Sequence, residues 1–419
     1  MPRILLADAD AFFVAVARSV DPEGAGKSAL LIVGGRPGSR GVVCSASYET
    51  RAFGVRSAMS IAQALRLCPD AMCVPVPRQA CSDASRAIRR VLERFTPVVE
   101  GASIDEWYLD LGGTEALYHH ESLDVTARKI REAVKTETGL SLSIGGGSNK
   151  LIAKLAAERA KPSRSPAAGG VWIVDEGSEP AFMNDVTLAE IPGIGPKLQE
   201  RLRGVGLVTV RETLAHEMPT LERWVGPKTA AWLHGRVRGM SATAVEYRDR
   251  SRQISREETF GKDIADASKL VSELRYLAAK AAGDLRAAGL AARTITVKLR
   301  TNDFETHSAG RTLPDPVESD RGVAEPAVAL LEKLRAKHRA PARLVGVSLS
   351  NLTSYRVTEQ LTMFEAPAVE GVVPERERDR DLSRAVDRVR EKFGDDAIRT
   401  GPPRRVPIGE KGAKKPRSS

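Results

Sequence analysis

Apolar and polar positions repeat with two different periods along this chain, and each change of period marks a segment. "RILLAD", "ALLIVGG" and "LSLSIGGG" are short apolar runs that read as buried strands. Between them, "SDASRAIRRVLERF" and "LDVTARKIREAVKTETG" place apolar residues at helical spacing, the second closed by Gly139 as a C-cap. Residues 1–167 therefore read as an α/β or α+β domain. "KPSRSPAAGG" (161–170) is a loop leading to one more strand, "VWIVD". Across 180–240, "DVTLAEIPGIGPKLQERLRGVGLVTV" and "MPTLERWVGPKTAAWLHGRVRGM" each predict a glycine-containing hairpin followed by a helix, a small all-α unit. "RDRSRQISR" then alternates, with Arg248, Arg250 and Arg252 on one side of an extended strand.

Residues 245–352 read β-α-β-β-α-β. A helix from Asp266 to about Ala288 carries Leu270, Leu274, Leu277 and Leu285 on one stripe. In "TITVKLRT", Ile295, Val297 and Leu299 alternate with Thr296, Lys298 and Arg300. One face is thus buried on helices, and the other is polar and basic, either a solvated surface or one facing a duplex. Past 353 the chain thins. Pro, Glu and Arg crowd 366–381, a helical piece is expected at 382–396, and 353–419 reads as a flexible tail ending in a basic stretch.

Composition narrows the class. With 419 residues and 42% hydrophobic content, the chain has room for two to four globular domains. No apolar run approaches the roughly 20 residues that span a bilayer, and the start lacks the features of a secretory signal, so a cytosolic protein is expected. Cys44, Cys68, Cys73 and Cys81 match no paired zinc spacing and read as reduced thiols. A net charge of +10 suits a polyanionic partner such as nucleic acid. Aromatic residues, at 5%, are too few to suggest a stacking platform for single-stranded bases.

Candidate chemistry concentrates in "TPVVEGASIDEWYLDLGG" (96–113), which reads as a hairpin with a Gly101-centred turn and a second strand over 104–111. Asp105 and Glu106 stand side by side just past the turn, and Asp8 ends the first strand. If that strand lies beside the hairpin, as in a ferredoxin-like sheet, three carboxylates gather with no basic side chain between them. Such a cluster either is a solvated strand end or binds hard cations, Mg²⁺ or Mn²⁺. Two ions about 4 Å apart would suit an in-line phosphoryl transfer. "GGGSNK" lacks the GxxxxGK[ST] spacing of a P-loop.

"DADAFF", "SYETRAFGV", "ASIDEWYLDL", "SIGGGSNKLIAKLAAERAKP" and "IPGIGPKLQERL" resemble, in order and spacing, the Y-family DNA polymerases of the DinB (DNA polymerase IV) branch. The resemblance spans about residues 1–400. It implies an α/β and α+β right-hand polymerase. A ferredoxin-like palm would fill 1–167, with small fingers inserted at about 11–75. A helix-hairpin-helix thumb would fill 168–240, and a βαβββαβ-like little finger 245–352.

The resemblance also implies roles. Asp8, Asp105, Glu106 and the carbonyl of Ala9 would hold two Mg²⁺ ions, with Mn²⁺ able to substitute and Glu106 completing the catalytic set. Phe12, Phe13, Ser45, Tyr48, Arg51 and Lys161 would bind the incoming dNTP, Phe13 acting as a steric gate under the sugar. Gly193, Gly195 and Lys197 in the hairpin would hold DNA, as would Arg248, Arg250, Arg252, Lys298 and Arg300. Gln360, Leu361, Met363 and Phe364, within "QLTMFE" (360–365), would dock on a sliding clamp. The implied activity is low-fidelity, exonuclease-free translesion synthesis by a cytoplasmic monomer. The rivals are an inactive mutasome scaffold, against which the three intact carboxylates argue, and a palm-type nucleotide cyclase, which has no use for a hairpin thumb or a clamp peptide.

Overall fold

The structure, a computed structural model, describes residues 3–246, 252–354, 375–394 and 397–398, and divides into two units at residues 249 and 250. The first unit opens with β1 (Ile4–Ala9), α1 (Phe12–Val20), β2 (Leu31–Gly34), β3 (Val43–Ala46), α2 (Tyr48–Ala52), α3 (Ile61–Leu67) and β4 (Met72–Val74). It continues through α4 (Arg78–Leu92), β5 (Val99–Gly101), β6 (Glu106–Asp110), α5 (Leu123–Thr138), β7 (Leu142–Gly147), α6 (Lys150–Ala160) and β8 (Val171–Ile173). Its all-α stretch comprises α7 (Glu179–Asn184), α8 (Pro196–Arg203), α9 (Val210–Leu214), α10 (Met218–Val225) and α11 (Pro227–Val237).

The main sheet runs β5-β6-β1-β7-β8, with β1 antiparallel to both neighbours. A central strand covered on both faces must be apolar nearly throughout, which "ILLADA" is. Leu5, Ala7 and Ala9 face a core that includes Phe12, Ile88, Trp107, Leu109 and Ile130. Ile4 and Leu6 pack on the other face against Ala153 and Ala157 of α6.

Two of the three glycines of "GGGSNK", Gly145 and Gly147, make that second contact possible. A Cβ on Gly145 would lie 1.9 Å from the Ala157 nitrogen and 2.2 Å from the Ala153 oxygen, while one on Gly147 would strike Ile152. Helix α6 therefore rests on bare strand backbone. The small sheet β3-β2-β4 keeps its own core of Ile32, Val43, Val55, Ile61 and Ala64. The all-α stretch packs on the outer side of α6, through Leu151, Ile152 and Leu155.

The predicted hairpin differs at its tip. Gly101 is a strand residue paired with Trp107, the second strand begins only at Glu106, and the turn occupies 102–105. The reason is local. The N–H groups of Ala102 and Ser103 both donate to the Glu106 carbonyl, and the Ser103 hydroxyl accepts from the Asp105 N–H, closing a tight side-chain-assisted turn.

The second unit comprises β9 (Gln253–Ile264), α12 (Ala267–Ala287), β10 (Leu290–Thr301), β11 (Thr306–Val317), α13 (Asp320–Lys337), β12 (Ala342–Ser354) and α14 (Glu377–Phe393). The sheet order is β11-β10-β12-β9. Ile295, Val297 and Leu299 are fully buried in the core that α12 and α13 complete. Asp266 caps α12 by accepting from the N–H groups of Ser268 and Lys269. The order is β-α-β-β-α-β, as the residue pattern reads. The additional strand of a βαβββαβ-like arrangement is absent among the described residues, because β10 and β11 each run 12 residues and leave only a short turn between them.

The expectation of a flexible tail over 353–419 also needs correcting at 377–393, where α14 is docked. Arg286, buried on α12, meets both carboxylate oxygens of Asp387 at 2.6 and 2.9 Å, and Asp320 at 2.9 Å. Arg384 meets Glu318 at 2.7 Å, and Glu375 accepts from the N–H groups of Glu318 and Ser319. The sequence hid this because α14 docks mainly by charge, with Val386 its one buried large apolar residue.

Candidate active site

The period of β1 sets the site. Ile4 and Leu6 face α6, so Asp8, two residues on, faces the same way. On the neighbouring strand Glu106 is directly opposite Asp8, and Tyr108 opposite Leu6. Directly opposed residues share a face, which puts the two carboxylates side by side beneath α6. Asp105 lies one step further, in the turn. Its carbonyl accepts from the Ala9 N–H at 2.9 Å, and its carboxylate accepts from the Ser103 hydroxyl.

The carboxylates are not free of basic neighbours, contrary to the expectation from sequence. Lys161 Nζ lies 3.0 Å from Asp8 Oδ2, and Lys154 Nζ donates to both oxygens of Glu106 at 2.7 Å. Lys150 binds Glu100 on β5. Lys150 and Lys154 stand one turn apart on α6 and share a face, and Lys161 is the residue just past its end. The sequence contained that signal, but not the knowledge that the face lies over the acids. Burial pushes the Asp8 carboxyl up to about 7 against the pull of Lys161, and Glu106 adds to the rise. Burial works to lower the Lys161 pKa, yet Asp8 and Glu158 together hold it above its ordinary value.

Asp8 and Glu106 are hard-oxygen donors, and the burial of Asp8 outweighs the pull of its lysine. That chemistry fits a divalent cation. Among the described residues no three His, Cys, Asp or Glu side chains converge on one point; Asp105 is turned to Ser103 while the lysines occupy the other two.

The small sheet brings a second cluster to this place. The Arg51 guanidinium lies 5.0 Å over the Tyr48 ring, donates to the Ala46 carbonyl at 2.9 Å and reaches the Ser45 hydroxyl at 3.5 Å. Ser47 caps α2, fixing that geometry. Burial raises the Tyr48 pKa, with Asp10 contributing next, and both Lys161 and Asp8 act on the same hydroxyl. Asp10, which the sequence reading passed over, accepts from the hydroxyls of Ser141 and Ser143 at 2.8 and 2.6 Å. It ties the end of β1 to β7.

Phe12 is 2% exposed and belongs to the core, so only the backbone of Phe12 could meet a ligand. Its N–H is in the first turn of α1, where helical amides have no internal acceptor. Phe13 is half-buried and meets Phe12 edge-on, with centroids 5.5 Å apart. Ala11, at φ 45°, makes the left-handed step that aims both rings.

Further along the first unit, Gly193 at φ 100° lies against the Trp232 ring of α11, where a Cβ would come within 2.8 Å. Gly195 starts α8, and Lys197 is exposed in its first turn. In the second unit, Lys298 and Arg300 stand on the open face of β10, Lys298 paired with Glu257 at 2.7 Å and Arg300 bonded to Thr306. Arg252 is exposed just before β9. Arg248, Arg250 and the peptide of Gln360, Leu361, Met363 and Phe364 lie outside the described residues.

Comparison with known proteins gives a consistent picture. Residues 7–158 match the model of the impB/mucB/samB family, 251–363 that of its C-terminal domain, and 176–207 that of the IMS family HHH motif. A DNA polymerase IV of Dehalococcoides mccartyi (strain CBDB1) is 34% identical over 399 residues, covering 95% of this chain and 97% of its own. A DNA polymerase IV of Streptomyces coelicolor is 35% identical over 355 residues, covering 84% and 72%. Among solved structures, a Y-family DNA polymerase chimera of Dbh and Dpo4 is 26% identical with a TM-score of 0.74, covering 83% of this chain and 98% of that one. An insertion ternary complex of Dbh DNA polymerase gives a TM-score of 0.59 at the same identity and coverage.

Proposed function

The chain belongs to the Y-family DNA polymerases, on their DNA polymerase IV branch, and from that premise we propose that its reaction is run by Asp8, Glu106 and Asp105 beneath α6. It is a DNA-directed DNA polymerase of the translesion type, adding dNTPs to a primer 3′-hydroxyl with release of pyrophosphate. The observation that carries the residue assignment is the register of Asp8 against Glu106, with Lys161, Tyr48 and Arg51 gathered on the same side.

Asp8, Asp105, Glu106 and the Ala9 carbonyl are the groups that would hold two divalent cations, Mg²⁺ with Mn²⁺ as a substitute. Bound there, such ions supply positive charge to the attacking and departing oxygens of phosphoryl transfer. The protein's own residues position and neutralise. Arg51 offers a planar fork to the triphosphate, and Lys161 a compact charge. Tyr48 orients against Arg51, and the Phe12 amide is free to donate to a phosphate oxygen. Phe13 lies under the sugar and excludes a 2′-hydroxyl. Gly193, Gly195 and Lys197 hold a DNA phosphate through backbone amides and charge. Arg248, Arg250, Arg252, Lys298 and Arg300 meet the duplex backbone. A monomer in the cytoplasm, recruited to a sliding clamp through 360–365, completes the reading. No helix among the described residues is long and apolar enough to cross a membrane.

The test is primer extension on undamaged and lesion-bearing templates, with each dNTP alone. Glu106→Gln should reduce extension to under about 1% while leaving duplex affinity within about twofold, because the acid acts on the reacting groups and not on the duplex. Extension by Glu106→Gln near the wild-type rate would refute the assignment.

A further inference from the structure

The β11 edge of the second unit's sheet is only half protected. Edge strands are templates for pairing and are usually blunted, often by proline. The far half of β11 carries Pro314 and Pro316, which remove two N–H donors. The near half, 306–310, has no such block.

The register tells which groups it leaves open. The Thr301 N–H donates to the Glu305 carbonyl at 2.9 Å, and the ladder continues Leu299 to His307 and Val297 to Ala309. Antiparallel pairs alternate between bonded and unbonded. His307 and Ala309 therefore spend their amides on β10, while Thr306, Ser308 and Gly310 turn N–H and C=O outward. A cavity of about 490 Å³ runs along all five residues and is closed by α13.

The walls of that cavity define its occupant. Lys333 and Lys337 stand one turn apart on α13, and neither has an acidic partner among the described residues. Two like charges at that spacing disfavour the helix unless something negative lies between them. His307 and His338 stack flat beside them, with centroids 3.4 Å apart and planes 10° from parallel. Glu305 lies 3.8 Å from His307. A bare phosphate would satisfy the lysines, but it would meet outward carbonyls that repel it. An extended peptide supplies donors and acceptors in alternation, and its acidic side chains reach the lysines.

We propose that residues 306–310 of β11 receive an acidic, extended peptide of a partner protein as a fifth strand, with its carboxylates on Lys333 and Lys337. Five residues of strand span about 17 Å, room for a short motif. Lys333 and Lys337 stand on the helix side of the sheet, whereas Lys298 and Arg300, with Ser308 and Thr306 opposite them, stand on its open face.

The test uses the full chain and a fluorescein-labelled heptapeptide of alternating glutamate and valine, followed by polarisation. Saturable binding is expected, at least about tenfold tighter than for the same peptide with lysine in place of glutamate. Ser308→Pro should abolish it without shifting the melting temperature, since that N–H serves no ladder bond. The Lys333→Glu, Lys337→Glu double variant should weaken it by about tenfold or more; if Ser308→Pro unfolds the unit, this pair decides alone. Unchanged binding by the variants, equal binding of the lysine peptide, or full displacement by millimolar inorganic phosphate would each overturn the proposal. So would a chain dimer, seen by sedimentation, that Ser308→Pro dissolves: the edge would then serve a second copy.

Discussion

Replacing Gly145 with alanine should disable the enzyme by displacing α6, without replacing any side chain that meets substrate. The added carbon would sit 1.9 Å from the Ala157 nitrogen, whereas an ordinary contact needs about 3.4 Å, so α6 must retreat by about 1.5 Å. No side chain can rotate to absorb this, because the opposing atoms are helix backbone. Overpacking a core costs about 1–3 kcal/mol, and a backbone clash belongs at the top of that range. At about 2–4 °C per kcal/mol for a unit of this size, the melting temperature should fall by roughly 6–12 °C. All four tryptophans, Trp107, Trp172, Trp224 and Trp232, lie in the first unit, so tryptophan fluorescence reports that transition alone. Retreat of α6 also carries Lys154 away from Glu106 and Lys161 away from Asp8. Misplacement by about 1 Å can cost about 100-fold in rate, so kcat for single-nucleotide insertion should drop by about that factor, with duplex affinity little changed. A Gly145→Ala protein that melts within 2 °C of wild type and extends primers normally would refute this account of α6.

Phe13→Ala should open the space under the sugar and raise the ratio of rNTP to dNTP kcat/KM by about tenfold or more; an unmoved ratio places the gate elsewhere. Asp387→Ala should leave Arg286, whose side chain is 5% exposed, without its two-pronged partner. A loss of about 3 kcal/mol is expected, seen by calorimetry in the transition that tryptophan fluorescence does not report. Asp387→Asn should lose less, since one acceptor oxygen remains. Replacing Leu361, Met363 and Phe364 together with alanine should leave synthesis on a short primer unchanged and remove stimulation by a loaded clamp; a variant still stimulated would show that the segment does something else.

Much of this architecture was legible because strand and helix periods are strongly written. Asp266 and Gly139 mark helix ends by chemistry that needs no tertiary context, and Ile295, Val297 and Leu299 announce a one-sided sheet. The site was legible in kind, since adjacent acids near a strand end are costly unless something positive meets them. Its counter-charges were not. Lys150 and Lys154 look like any solvated helix face until β7 is known to be glycine backbone on which α6 can rest, and the family resemblance marks Lys161 for the nucleotide without showing that it meets Asp8. The α14 dock was hidden for a related reason: hydrophobic patterning cannot find an interface made of Arg286, Asp387, Arg384 and Glu318. The tip of the 96–113 hairpin was misplaced because the Ser103 hydroxyl, not glycine geometry, closes the turn.

The docking of α14 also orders events in time. Chains emerge from synthesis N-terminus first, at about 5–20 residues per second. By the time Ser354 appears, β9 to β12, α12 and α13 have been made, and among the described residues Arg286 has Asp320 and the Glu318 carbonyl for company. The carboxylate of Asp387 and the guanidinium of Arg384 arrive later, the last of α14 following Ser354 by roughly 2–8 s. The second unit is thus fastened by an element that can join only after the whole sheet and both of its covering helices have been made. A nascent or prematurely terminated chain would present an unsealed α12 surface, with a half-paired arginine, to whatever quality-control machinery meets it first.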